Sequence, residues 1–170
     1  MSVNNPLYRH ASITLIITPI LLLLVVTVAC AAEFDSSISM TDKGASTFYV
    51  PCIIEGYGEV DLMFDTGSSY MTINEKMLAV LKRRGHATFV KKLDARMADG
   101  SRSIIPVYRL SSVQLGGNCA LHDVEAAVMP GSTRNLLGLN ALKMAGPFIF
   151  YVDPPRLVLS HCVTRSEERI

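Results

Sequence analysis

The chain has 170 residues, enough for one core once an apolar N-terminal segment is set aside, and too few for two similar lobes. Sixteen Lys and Arg against fifteen Asp and Glu leave a net charge of +1, and no basic stripe with interleaved aromatics occurs. A nucleic-acid partner held by its phosphates therefore lacks its electrostatic footprint and is set aside.

In chain order, the first predicted element is "ITLIITPILLLLVVTVACAA", residues 13–32, which follows Arg9 and His10. It is almost wholly apolar and has about the 20 residues that a membrane-crossing helix needs. The reading is an N-terminal apolar helix, residues 1–32, acting as signal peptide or signal anchor and placing the rest of the chain outside the cytoplasm. Three fates stay open: an uncleaved anchor, a signal cut at the A-x-A-like Ala29, Cys30 and Ala31, or a lipid on Cys30. Thr27, where lipoprotein signals carry an aliphatic residue, disfavours the lipid. Residues 33–46 are small, polar and without period, and read as a linker.

The folded domain is expected over 47–162, with 163–170 a polar tail. "TFYVPCIIE" and "GEVDLMFD" are apolar, β-rich runs separated at Gly56, Tyr57 and Gly58, the pattern of a hairpin. "NEKMLAVLKRRG" reads as a helix capped by Asn74, with Met77, Leu78 and Leu81 on its apolar face and Gly85 as its stop. "TFVKKLDARMA", the turn "DGS" and "RSIIPVYRLSSVQLGG" predict a long hairpin with Asp99 and Gly100 at its tip. "CALHDVEAAVM" alternates as a strand, "RNLLGLNALKMAG" places Leu-Leu-Gly before a short helix, and "PFIFYVD" with "PRLVLS" forms a last hairpin around Pro154 and Pro155. The fold class is mainly β with one or two short helices.

Export permits disulfides, and Cys30 lies in the targeting segment, which leaves Cys52, Cys119 and Cys162. Cys119 begins one strand-like run and Cys162 ends another, so a bridge between them would tie the tail to the body. Cys52 sits in an apolar strand and reads as a buried thiol. Cys119, His122, His161 and Cys162 also have the atom types of a zinc site. His161 and Cys162 are adjacent, however, and neighbouring side chains of an extended chain point to opposite faces, so no metal site is assigned.

The stretch "LMFDTGSSYMTI" delivers one carboxylate, Asp65, from a buried strand into a turn of glycine and hydroxyl residues. Asp-Thr-Gly alone occurs in many turns; here it is followed by a second strand, a helix, a hairpin with a glycine tip and "NLLGLNAL". That ordered set, from about Thr47 to Ser160, resembles the retropepsin-like aspartic proteases, and more closely their bacterial membrane-associated or periplasmic branch. The resemblance implies a closed β-barrel of the acid-protease kind with Asp65 as the catalytic residue. It implies that Thr66 braces the two active-site loops across a dimer, and that Gly67 lets the backbone approach the carboxylate. Ser68 would be similar to the pepsin-type serine that hydrogen-bonds the aspartate. Met97, Ala98, Asp99 and Gly100 would form the substrate flap, and Leu137 and Gly138, following Leu136, would support the aspartate loop.

Metal-free peptide hydrolysis needs one group to take a proton from water and another to protonate the carbonyl oxygen or the leaving amine. Two carboxylates about 3 Å apart share one proton and meet both needs. The chain carries no second Asp-Thr-Gly or Asp-Ser-Gly, so a homodimer would supply the second aspartate at its two-fold axis. The expectation is an aspartic endopeptidase that uses no cofactor and acts on polypeptides bound in extended form. Two other readings are weighed against it: a non-catalytic module of the same fold serving binding or assembly in the cell envelope, and an envelope structural protein whose turn contains Asp-Thr-Gly by chance.

Overall fold

Apolar and polar side chains alternate along most of the strands, which lets each lay one face on a shared core. A computed structural model describes residue 34 and residues 36–162. Among these lie β1 (Ser36–Ser39), β2 (Thr41–Asp42), β3 (Phe48–Ile54), β4 (Gly58–Phe64), β5 (Met71–Asn74), α1 (Glu75–Arg83), β6 (Ala87–Arg96) and β7 (Arg102–Leu115). They are followed by β8 (Cys119–Met129), β9 (Leu136–Leu137), α2 (Leu139–Met144), β10 (Phe148–Tyr151) and β11 (Arg156–Leu159). Eight strands form one sheet in the order β2-β3-β4-β9-β5-β8-β7-β6, and three form a second in the order β1-β11-β10. β3 pairs with β7 as well as β4, setting Cys52 opposite Leu115. The protein is mainly β with two short helices among the described residues.

The expected hairpins are present as β3–β4, β6–β7 and β10–β11. α1 follows its sequence signals closely: Asn74 Oδ1 accepts the Met77 N–H at 2.9 Å, Met77 and Leu81 are buried, and Gly85 leaves the helix at φ +77°. Between β5 and β9 the chain reverses the usual neighbour order. β9 runs parallel to β4, with Phe64 opposite Leu137, and antiparallel to β5, with Thr72 opposite Leu136. The loop carrying Asp65 therefore has to pass over β9 to reach β5.

One expectation needs correction. Residues 33–46, read as a linker before a domain starting near Thr47, contain β1 and β2. β1 pairs antiparallel with β11, Ser36 opposite Leu159, and Ile38 and Met40 are buried in the core. Two apolar residues among serines make too short a period to register as a strand; the element exists because β11, far along the chain, supplies its ladder. The predicted helix at 13–32 and the tail at 163–170 lie outside the described residues. Among the described residues no helix is long and apolar enough to cross a membrane.

Cys119 and Cys162 form a disulfide, and Cys52 is a free, buried thiol. With both sulfurs bonded to each other, two of the four atoms that a zinc site would have used are committed elsewhere. Phe64, at the end of β4, stacks on Phe150 at 4.9 Å between ring centroids and meets Phe148 edge-on at 6.0 Å. The second sheet thus packs directly beside the strand that delivers Asp65.

Candidate active site

Asp65 leaves β4 while its N–H still donates to Leu137 O of β9, at 3.2 Å. The chain then turns tightly: the Ser68 N–H donates to Asp65 O at 3.3 Å, and the Gly67 N–H donates to the carboxylate Oδ1 at 2.9 Å. A β carbon on Gly67 would stand 3.1 Å from that same oxygen, so glycine keeps the space above the carboxylate clear. Asp65 itself is half-buried, held by backbone on one side and open to the cleft on the other.

Behind the loop, the Leu-Leu-Gly element fits as a wedge. Leu137 is fully buried. At Gly138 a β carbon would lie 2.1 Å from Tyr70 O, a separation no side chain tolerates. The absence of that carbon lets the Leu139 N–H donate to Ser68 O at 2.9 Å and the Asn140 N–H to Ser69 O at 3.2 Å.

Asn140 was not singled out by sequence reasoning, yet it joins three segments. Its Oδ1 accepts the Met71 N–H at 2.5 Å and its Nδ2 donates to Glu125 O at 2.6 Å. The available signal was a primary amide inside the apolar run "LLGLNAL", since a half-buried amide demands partners of its own. Asn135 acts similarly, accepting the Asn74 N–H at 3.1 Å.

One expected role comes out differently. The Ser68 hydroxyl donates to Tyr70 O at 2.7 Å, not to the Asp65 carboxylate, because the turn directs it toward the loop's own backbone. Thr66 is exposed on the same loop.

A cleft of about 520 Å³ separates the Asp65 loop from the β6–β7 hairpin. Leu93, Asp94, Ala95, Arg96, Met97 and Ala98 line it from the hairpin, and Ile105, Ala127, Met129 and Leu136 make the rest of its walls largely apolar. Asp99 and Gly100 shape the tip rather than the wall. The Gly100 N–H donates to Met97 O at 2.9 Å, and Asp99 Oδ1 accepts both the Ser101 N–H at 2.9 Å and the Ser101 hydroxyl at 2.7 Å. Those two bonds, the hydroxyl's first, hold the Asp99 carboxyl below its ordinary pKa. Arg102 grips Asp94 through Nε at 3.1 Å and Nη2 at 2.6 Å, stiffening the hairpin.

A half-buried aspartate in a glycine turn, wedged from behind by Leu-Leu-Gly and faced by a hairpin, is the arrangement that the sequence resemblance implied. The family described as "gag-polyprotein putative aspartyl protease" matches residues 50–144, more than half of the chain. The chain belongs to the retropepsin-like aspartyl proteases. Asp65 and Gly138 of this retropepsin-like chain both fall within the matched span. A crystal structure of a retropepsin-like aspartic protease from Rickettsia conorii shares its fold, with a TM-score of 0.51 at 17% identity, covering 73% of this chain and 88% of that one. No curated protein sequence matches.

Proposed function

We propose that this retropepsin-like chain is an aspartic endopeptidase whose active site is completed by a second copy of itself. The observation that carries the reading is Asp65, a half-buried carboxylate oriented by the Gly67 N–H at the edge of an apolar cleft beneath a hairpin. One such carboxylate can take or give a proton, but the reaction needs both transfers, and paired carboxylates sharing one proton provide them. The ionised Asp65 accepts a proton from water as the water oxygen bonds to the scissile carbonyl carbon. The protonated Asp65 of the other copy delivers its proton to the carbonyl oxygen. The first Asp65 then gives its proton to the amide nitrogen while the other copy's carboxylate takes one from a hydroxyl of the tetrahedral diol, so the carbon–nitrogen bond breaks, the carboxylic acid forms and the pair again holds one proton.

β10 supports the homodimer. Among the described residues it is one of the two edges of the three-stranded sheet, its outer backbone groups having no ladder there, and Ile149, Tyr151 and the following Val152 are exposed. Two such edges related by a two-fold axis would join into one sheet, beside the Phe64 that precedes Asp65. The extra β3–β7 pairing supports the closed-barrel description. The Cys119–Cys162 bridge suits an oxidising compartment, in keeping with an extracytoplasmic domain tethered or exported through residues 13–32.

The test compares the wild-type chain with Asp65→Asn on an unfolded protein substrate, from acidic to neutral pH. Loss of about 10²-fold or more in kcat/KM is expected. Equal cleavage by both variants, or none by the wild type as a dimer, overturns the protease reading in favour of a binding module of the same fold.

A further inference from the structure

Most of the surface lining the cleft is apolar, with Asp65, Asp94 and Arg96 as its charged members, and beside its Tyr70 end lies a further group of ions that the catalytic reading does not use. The ladder of β6 and β7 shifts register between Phe89 and Lys91: Phe89 lies opposite Tyr108, whereas Lys91 lies opposite Val107. Tyr108 and Val107 occupy alternate faces of β7, so the bulge re-aims Lys91 away from the Phe89 face. Lys91 falls in the same row of β6 as Leu93 and Ala95, two of the residues that line the cleft. Asp94 and Arg96 occupy the alternate row and also border the cleft, where Arg102 engages Asp94.

Lys91 Nζ lies 5.4 Å from the centroid of Tyr70, itself a cleft residue, and 2.9 Å from Glu125 Oε2. Arg109 Nη2 approaches Glu125 Oε1 at 3.9 Å. Two cations thus share one carboxylate, which leaves this group one positive charge in excess. The hydrogen bond to Glu125 and the Tyr70 hydroxyl raise the Lys91 pKa, so it remains an ammonium throughout neutral pH. Its side chain is 44% exposed, open to a ligand as well as to Glu125.

We propose that Lys91 is a specificity-determining residue, and that the cleft favours extended peptides bearing an acidic side chain that reaches the Tyr70 end. This rests on the reading of the cleft as a peptide groove. The acidic side chain joins Lys91 and Arg109 opposite Glu125 and neutralises the excess charge, while the apolar centre takes the neighbouring side chains.

The experiment uses the full chain carrying Asp65→Asn, so that bound peptide stays intact, and two fluorescent peptides with the same apolar centre and either Glu or Gln in the flank. Anisotropy should show the Glu peptide binding about two- to fivefold tighter, within the range of one exposed ion pair. Adding Lys91→Glu should reverse the preference toward a Lys-bearing peptide, Lys91→Arg should preserve it, and Glu125→Gln should sharpen it by removing the competing carboxylate. A Lys91 that merely braced the hairpin would weaken all peptides alike in Lys91→Glu and in Glu125→Gln. Equal binding of Glu and Gln peptides, a preference indifferent to Lys91→Glu, or failure to bind either peptide overturns the proposal. Wild-type chain separates the two readings: acid-selective binding without cleavage sinks the protease alone, and cleavage of both peptides with equal kcat/KM sinks the selectivity alone.

Discussion

At the scale of single residues, the Asp65 loop is held by groups whose roles depend on what they leave out or tie down. Asn140 closes two backbone orphans at once, the Met71 N–H and the Glu125 carbonyl. Asn140→Ala leaves both without that partner, and urea denaturation should show a loss of about 1–3 kcal/mol. This residue was hard to read from sequence because its partners, at positions 71 and 125, become neighbours only when β9 inserts beside β5. Cys52 shows the opposite case, a buried thiol legible from its apolar strand. Burial pushes its pKa from 9.0 to about 12. The unfolded chain therefore releases this proton above about pH 9 while the native chain keeps it, and the contribution to stability present below that pH is lost as pH rises toward 12. Thermal midpoints measured from about pH 9 to about pH 11 should fall less steeply in Cys52→Ala than in the wild type.

At the scale of elements, local signals were sufficient wherever an element carries its own boundary. α1 has its cap, its apolar face and its glycine stop within a dozen positions, and the β6–β7 hairpin has Asp99 and Gly100 at its turn. β1 has none of these, and its strand geometry comes from β11. The same distant tail is fastened by the Cys119–Cys162 bridge, which closes a loop of 43 residues' separation. Chain-entropy reasoning assigns such a loop about 4 kcal/mol, and measured disulfides commonly give about 2–4. The double variant Cys119→Ala, Cys162→Ala should lose stability in that range by urea denaturation. A loss close to zero would mean that the tail is held by β11 packing alone.

At the scale of the whole molecule, the retropepsin-like chain presents one carboxylate where the proposed chemistry requires two, so activity and association should stand or fall together. Sedimentation of the protein should show a dimer, and cleavage rate should rise with the square of protein concentration below the dissociation constant. Placing charges on the β10 edge, with Ile149→Lys and Tyr151→Lys, should shift the dimer toward monomer and abolish cleavage while the monomer's far-ultraviolet circular dichroism is retained. Dimers that persist in this variant would move the interface elsewhere on the surface. The proposed ion group around Lys91 lies on the cleft side of β6 and should respond to none of these changes in the monomer.

The sequence by itself determined the mainly β class, the helix and hairpin positions, the buried thiol at Cys52 and the setting of Asp65, because each is encoded by a period, a cap or a turn within a few residues. Tertiary structure alone decided that residues 36–42 belong to the fold, that Ser68 turns to Tyr70 O, that Asn140 links the loop to β8, and that a bulge sets Lys91 in the same row of β6 as Leu93. The reason is the same in each case. These contacts join segments far apart in the chain, and a hydrogen-bond donor or a half-period of apolar residues has no preferred partner until packing places one beside it.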